Sequence, residues 1–301
     1  MLAAIMDVAL IVNPFASEVT QERVRAVELE LAKGAMVTTL LTERPGHAAE
    51  LAARAADADA LIVFSGDGVF NEALNGLSSD RPIGFLPGGG TSVLPRALGL
   101  PRDPVAAATR VGEALAVGRT LRISLGRVNG RRFAFNAGVG FDAELVRRVD
   151  LLGRRADGRR PGDLAYLRAA AGVVGGRLGR FEPALEIAGL GRAAFALVAN
   201  ADPYTYAGSV PIHVAPEANF ELGLDLVAPV RVGATSLPRL ASYIVRGRGQ
   251  AEASDVLYAH DVDRIEIGCD RPLPLQADGE DLGDVEEAVF EAERNAVRVL
   301  I

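Results

Sequence analysis

An α/β domain with a parallel sheet, followed by an antiparallel β-sandwich domain, is the fold class this sequence predicts. Through its first third, apolar β-rich runs alternate with helix-periodic segments, a pattern that calls for parallel strands joined by helical crossovers. After about Arg119 strand-like runs dominate, with turn residues between them, as in packed antiparallel sheets. Where the third strand meets its helix lies Ser65-Gly66-Asp67-Gly68, whose glycines let backbone approach a ligand closely. The expected domains are residues 1–120 and 121–301, with a helical insertion over 143–180 and a last strand able to return to the first domain.

From the N-terminus, Val8–Val12 is a strand stopped by Asn13-Pro14. Ser17 or Thr20 caps a helix reaching about Lys33, with Gly34 as its stop. Met36–Leu41 is a strand, Gly46–Ala58 a helix and Ala60–Phe64 a third strand, from which Ser65–Glu72 opens a helix ending near Leu77. Pro82–Leu86 is a fourth strand, followed by Gly88-Gly89-Gly90 and a helix from about Thr91. Asn13, Thr42, Ser65–Asn71 and Gly88–Ser92 all fall at carboxyl ends of strands, where parallel sheets bind ligands. In the second domain the expected strands are Leu121–Val128, Arg132–Asn136, Ala184–Ile187, Ala193–Asn200, Leu224–Val227, Arg264–Gly268 and Leu273–Ala277. The cleft between the domains is the default place for an active site.

Composition narrows the function. A net charge of −7 argues against nucleic-acid binding, which needs a basic footprint. The lone Cys269 excludes an internal disulfide and fits a reducing compartment; it reads as a buried small residue. No apolar run has membrane-spanning length, and Met1–Val12 carries Asp7 and no basic residue, so it resembles neither a span nor a signal peptide. His47, His213 and His260 lack metal-ligand spacing.

The turn at Ser65–Gly68 has the form of a phosphate cradle, because the N–H groups of the first helical turn point at an anion. Asp67 is the anomaly, since a carboxylate there repels phosphate. It fits if it holds a magnesium ion that neutralises the phosphates, or accepts a proton from an attacking hydroxyl. Either role is phosphoryl transfer, although an ordinary βα turn accounts for Gly-Asp-Gly taken alone. Asp278-Gly279-Glu280 likewise reads alone as an acidic turn.

Taken together, these blocks resemble the diacylglycerol kinase catalytic family, which shares a superfamily with sphingosine kinases and NAD kinases. Ile11–Pro14, Thr42 with Gly46–Ala48, Ser65–Leu77, Leu86–Ser92 with Arg96–Pro101, Asn136–Ala143 and Asp278–Glu280 carry the likeness in collinear order over nearly the whole chain. It implies an NAD kinase/diacylglycerol kinase-like nucleotide domain followed by a β-sandwich lipid-substrate domain. It also implies transfer of the γ-phosphoryl group of ATP, with Mg2+, to the hydroxyl of diacylglycerol or a related lipid alcohol. By the same likeness Asn13, Thr42, Ser65, Gly66, Asp67, Gly68, Asn71, Gly89, Gly90 and Thr91 contact the nucleotide. Glu280 is the general base with Asp278 beside it, and Asp67 meets magnesium through the ATP phosphates. A carboxylate suits that role because a neutral hydroxyl attacks poorly until its proton has somewhere to go. The family implies a cytoplasmic, peripherally membrane-associated enzyme, with a homodimer among its states.

Four positions depart from the family pattern. Ser65 stands for a glycine, Val69 for a threonine, and Ser92 where an asparagine is usual. Leu222 takes the place of an aspartate that binds a structural magnesium in some lipid kinases, so that metal is not expected here unless Glu221 substitutes. Between Arg147 and Arg180 there are nine arginines against three aspartates. With Tyr166, Leu167, Val173, Val174 and Leu178 they suit docking at an anionic membrane surface; a solvated helical hairpin is the alternative. Rival readings are a sphingoid or long-chain-base kinase, which Ser65 favours, and a non-catalytic nucleotide or lipid sensor.

Overall fold

The structure, a computed structural model, describes residues 5–90, 92–151, 168–169, 172–173, 175–176, 180–207 and 210–301. The chain divides into two units, Met1–Ile123 with Asn295–Ile301, and Ser124–Arg294. The first unit holds strands β1 (Met6–Val12), β2 (Ala35–Leu41), β3 (Ala60–Ser65) and β4 (Ile83–Pro87). They lie in the order β4-β3-β1-β2, all parallel. Helices α1 (Gln21–Leu31), α2 (His47–Arg54), α3 (Asp67–Gly76), α4 (Val93–Ala97) and α5 (Pro104–Ala116) alternate with the strands. Every residue of β3 is buried, which is why it reads as an unbroken apolar run: a central parallel strand is covered on both faces.

Of the two capping residues expected for α1, Thr20 does the work, its Oγ1 accepting from Arg23 N at 3.2 Å. The helix expected from about Thr91 is instead two. α4 stops after five residues, and α5 restarts behind Asp103, whose carboxylate accepts from Ala106 N at 2.8 Å. Between them Gly99 takes a φ of +73°, a left-handed conformation that glycine adopts without penalty.

Helices α2 and α3 touch through backbone. A Cβ built on Gly76 lies 2.1 Å from the carbonyl oxygen of Ala49, so no side chain fits unless the helices part. Gly76→Ala is expected to cost about 3 kcal/mol, the upper end of ordinary overpacking. A thermal melt checks this, and a melting temperature within a degree or so of wild type would overturn it.

The second unit is built on antiparallel strands. In chain order they are β5 (Thr120–Val128, entering from the first unit), β6 (Arg131–Phe133), β7 (Asn136–Val139), β8 (Leu185–Ile187), β9 (Gly191–Ala193), β10 (Ala196–Ala199), β11 (Thr205–Ala207), β12 (Val210–Ile212), β13 (Leu224–Pro229), β14 (Val256–Val262), β15 (Arg264–Ala277) and β16 (Glu280–Leu300). Helix α6 (Phe141–Leu151) follows β7 and α7 (Leu237–Arg246) follows β13. The order β14-β13-β10-β7-β15-β16 is antiparallel throughout. Val299, near the end of β16, pairs with Ile83 inside the first unit. Phe133, Val139, Leu226, Ile267, Leu275 and Phe290 are among the buried residues of the sheet's core.

Four elements, β11, β12, β14 and α7, were not legible in the sequence; a last strand returning to the first domain was expected, but not the length of β16. In β16 buried Ala288 and Phe290 alternate with Glu287, Val289 and Glu291, a two-residue period obscured by the acidic outer face. The single strand expected over Arg132–Asn136 breaks into β6 and the start of β7. The break falls where the Asp278 carboxylate takes the N–H groups of Ala134 and Phe135.

Of the insertion, α6 is described, whereas Arg154, Arg155, Arg159, Arg160, Tyr166, Leu167, Val174 and Leu178 lie outside the described residues. Val173 is buried with Phe181, Phe195 and Val232, so it belongs to the core and not to an exposed apolar face. Arg147 pairs with Asp281 and Asp284, each at 2.7 Å, and Arg148 with Glu144 at 2.7 Å. Cys269 is half-buried.

A titratable pair joins β13 and β14. His260 Nδ1 lies 2.9 and 3.0 Å from the two carboxylate oxygens of Asp225, which also accepts from Asp261 N at 3.0 Å. That hydrogen bond holds the His260 pKa above its ordinary 6.5, with Glu217 and Asp261 adding to it. Burial raises the Asp225 carboxyl despite the histidine. A raised histidine contributes stability that is complete below its unfolded pKa and is lost as pH rises through the folded value. The melting temperature is therefore expected to fall as pH rises above the ordinary histidine range, and His260→Asn to flatten that slope. An unchanged slope in His260→Asn would overturn the assignment.

Candidate functional site

In the first unit, the ends of β1, β2, β3 and β4 bring together Asn13, Thr42, Ser65–Asp67, Gly88–Gly90 and Ser92. Asn13 N donates to Phe64 O at 3.3 Å and Thr42 N to Val12 O at 2.9 Å, so both are pinned at the strand ends. Asn13 Oδ1 accepts from Phe15 N at 3.0 Å, shaping the turn after β1. Ser65 is fully buried and its hydroxyl has no partner among the described residues, an uncompensated polar group of the kind that marks a ligand position.

The two glycine loops pack on each other. Gly88 N donates to Ser65 O at 2.6 Å, and a Cβ on Gly89 lies 3.0 Å from the Gly66 Cα. The Ser92 hydroxyl closes the second loop, donating to Gly89 O at 2.9 Å and accepting from Gly89 N at 3.2 Å. Ser92 holds a left-handed φ of 44°, a conformation asparagine adopts more readily than serine.

Asp67 is the joint between these loops. Its two carboxylate oxygens accept from Val93 N and Leu94 N, each at 3.0 Å. It begins α3 and caps α4 at once. Val69 N and Phe70 N return to Gly66 O at 3.1 and 3.2 Å, closing the first turn of α3. Half-buried loop backbone, two glycines, Gly88 and Gly89, against which a Cβ would crowd, and the buried Ser65 hydroxyl therefore come together at the strand ends.

In the second unit, β15 and β16 are joined by Asp278 and Gly279, with φ of 48° and 76°. Two successive left-handed residues are the two-residue hairpin that Asp-Gly favours. The Asp278 carboxylate accepts from Ala134 N at 2.7 Å, Phe135 N at 2.8 Å and Asn136 N at 3.2 Å. Glu280, the next residue, is about half exposed and accepts from Arg131 Nη2. Behind the turn Gln276, Asn136, Tyr204 and Asp142 form a hydrogen-bonded group. Burial pushes the Asp142 carboxyl up, against the hydrogen bonds of Tyr204 and Gln276.

Residues 7–128 match the sequence profile of the diacylglycerol kinase catalytic domain. A diacylglycerol kinase of Bacillus subtilis is 36% identical over 118 residues, which span 38% of this chain and 38% of that protein. The likeness in sequence is to the diacylglycerol kinase catalytic domain and runs over residues 7–128. The crystal structure of a diacylglycerol kinase from Bacillus anthracis superposes with a TM-score of 0.71 at 19% identity, over 99% of this chain and 97% of that one. An NAD kinase from Archaeoglobus fulgidus, solved in complex with ATP, superposes at 0.57 with 15% identity, over 98% and 93% of the two chains. These likenesses establish the fold over both units, as the order of elements in the sequence predicted.

Within the matched segment the structure assembles Asn13, Thr42, Ser65, Gly66, Asp67, Gly68, Gly89 and Gly90 around the strand ends; Thr91 lies outside the described residues. Asn71 is buried, and Asn75 Nδ2 donates to its Oδ1 at 3.1 Å within α3. Glu72 serves the helix packing: its Oε2 accepts from Ala48 N at 3.2 Å in the first turn of α2. Sequence reasoning missed Gln276 and Tyr204. Gln276 sits two residues before Asp278, a usable cue; Tyr204 has no local signal, because only the sheet brings it to Asp142.

Proposed function

We propose that this chain is an ATP-dependent lipid kinase acting on the hydroxyl of diacylglycerol or a related lipid alcohol. The observation that carries the reading is the pair of interlocked glycine loops, joined by Asp67, within a segment that matches the diacylglycerol kinase catalytic domain. The Archaeoglobus neighbour's complex with ATP supports ATP as the donor.

The loop N–H groups and the Ser65 hydroxyl bind the phosphates, and the tight Gly66–Gly89 contact orients them. Asp67 is the acidic residue in the cradle, and magnesium characteristically takes one or two carboxylates with the remaining positions filled by substrate phosphates. Among the described residues no three His, Cys, Asp or Glu side chains form a cage, so the ion would be held with the nucleotide, where it would neutralise phosphate charge. Glu280 accepts the proton of the lipid hydroxyl as its oxygen bonds to the γ-phosphorus and the bond to ADP breaks. Positioning and charge neutralisation carry most of the rate.

A cavity of about 500 Å³ in the second unit, lined by Phe141, Phe181 and Leu273 with Arg180, Arg271, Glu182 and Asp270, offers a site of mixed apolar and charged character for the lipid. Among the described residues no helix is long and apolar enough to cross a membrane. The acceptor is proposed to be met at an anionic bilayer surface, with the arginine-rich insertion as the docking edge.

A nucleotide sensor is the second reading. It draws on the structural duties of Asp67, whose presence the loop architecture alone explains. Incubation with γ-labelled ATP, magnesium and lipid alcohols in anionic or zwitterionic vesicles separates the two. A labelled lipid, formed faster on anionic vesicles, is the expected result, and its chromatographic mobility distinguishes a glycerolipid from a long-chain base. ATP binding with no labelled lipid would leave the sensor.

A further inference from the structure

Glu280 comes directly after a turn held from both sides, and the two holds differ in kind. Asp278 anchors the first turn residue through its own carboxylate and through its N–H, which donates to Asn136 O at 2.8 Å. Gly279, the second, is held by one side chain: its N–H donates to Gln276 Oε1 at 2.9 Å. Gln276 is 1% exposed, in the middle of a sheet, where an apolar residue avoids the cost of burying an amide.

The amide is used at both ends. Nε2 donates to Asp142 Oδ2, to Asn136 Oδ1 at 3.0 Å and to Tyr204 Oη at 3.2 Å. Tyr204 in turn donates to Asp142 Oδ2 at 2.6 Å. These acceptors fix which way the amide points, because a flip sets its N–H2 against the Gly279 N–H and its oxygen against a carboxylate. A rigid chain therefore runs from the start of α6, through Gln276, to the backbone immediately before Glu280. Among the described residues, the side chain of Glu280 is held by its half-exposed pair with Arg131.

We propose that Gln276, clamped by Asp142 and Tyr204, is a positioning residue that sets the backbone from which Glu280 reaches the acceptor hydroxyl. This rests on the reading of Glu280 as proton acceptor. Displacement of a catalytic group by about 1 Å costs on the order of 100-fold in turnover.

Gln276→Met, near in volume but without the amide, is expected to lower kcat about 100-fold with the KM for ATP unchanged. Tyr204→Phe, which keeps the ring in the core, is expected to lower it about 10-fold. In a Glu280→Gln background neither substitution lowers kcat further, since both act through Glu280. Hydrogen exchange at Gly279 N–H, slow in the wild type and fast in Gln276→Met, reports the turn without using activity. Equal losses in the wild-type and Glu280→Gln backgrounds would overturn the proposal, as would full activity in both single variants. If Glu280→Gln itself turns over like wild type, Glu280 is not the proton acceptor and this inference falls with that assignment, while the lipid-kinase reading stands; absence of any labelled lipid with the unmutated protein is what would sink that reading.

Discussion

Glu280→Gln is expected to lower lipid phosphorylation by at least about 100-fold while the protein stays folded, because a positioned general base supplies on the order of 10²- to 10⁴-fold. Two magnitudes separate chemistry from stability here. Glu280 and Arg131 are each about a third to a half exposed, and an exposed ion pair is worth at most about 1 kcal/mol. Glutamine is isosteric and still accepts from Arg131, so the melting temperature barely moves. Glu286→Gln, at an exposed position of the same strand, is the control and keeps full turnover. The measurement is single-turnover transfer of labelled phosphate to lipid at saturating ATP. Turnover within threefold of wild type would remove Glu280 from the mechanism.

Asp67→Asn is expected to cost about 100-fold or more in turnover and, unlike Glu280→Gln, to weaken nucleotide binding as well. The structure gives the reason. Both Asp67 oxygens accept backbone N–H groups at the start of α4, each at 3.0 Å. An asparagine has one oxygen to offer and turns an N–H2 toward the other donor. Hydrogen bonds to a charged group contribute about 1.5–3 kcal/mol each, so the second glycine loop loosens and the cradle loses its shape. The carboxylate that would meet magnesium is lost in the same step. Calorimetric titration with a non-hydrolysable ATP analogue, beside the turnover assay, reads both effects. Weakened binding with turnover per bound nucleotide intact would make Asp67 a loop-building residue alone.

Much of the candidate site was legible because its chemistry is local. A parallel strand ends, glycines come next and a helix begins, so Asn13, Ser65–Gly68 and Gly88–Gly90 are placed by adjacency along the chain. Asp67 was legible as an anomaly, but its partners were not: Val93 and Leu94 lie far along the sequence and meet it only when β3 and β4 pair. Likewise Asp278 reads as a turn residue, whereas its carboxylate organises the break between β6 and β7. The helix α7 and the length of β16 escaped because both elements are amphipathic at the surface, where charged residues interrupt the apolar pattern.

The sequence by itself determined the fold class, the order of strands and helices in the first unit, and the positions of the glycine loops. These depend on residue-scale preferences: apolar period, φ freedom and capping. Only the tertiary structure decided that Asp67 joins two loops, that Val173 is core, and that Gln276, Tyr204 and Asp142 stand behind Glu280. Those are contacts between residues distant in the chain. Their energies come from burial and hydrogen-bond satisfaction, which exist only once the sheet has brought the partners together.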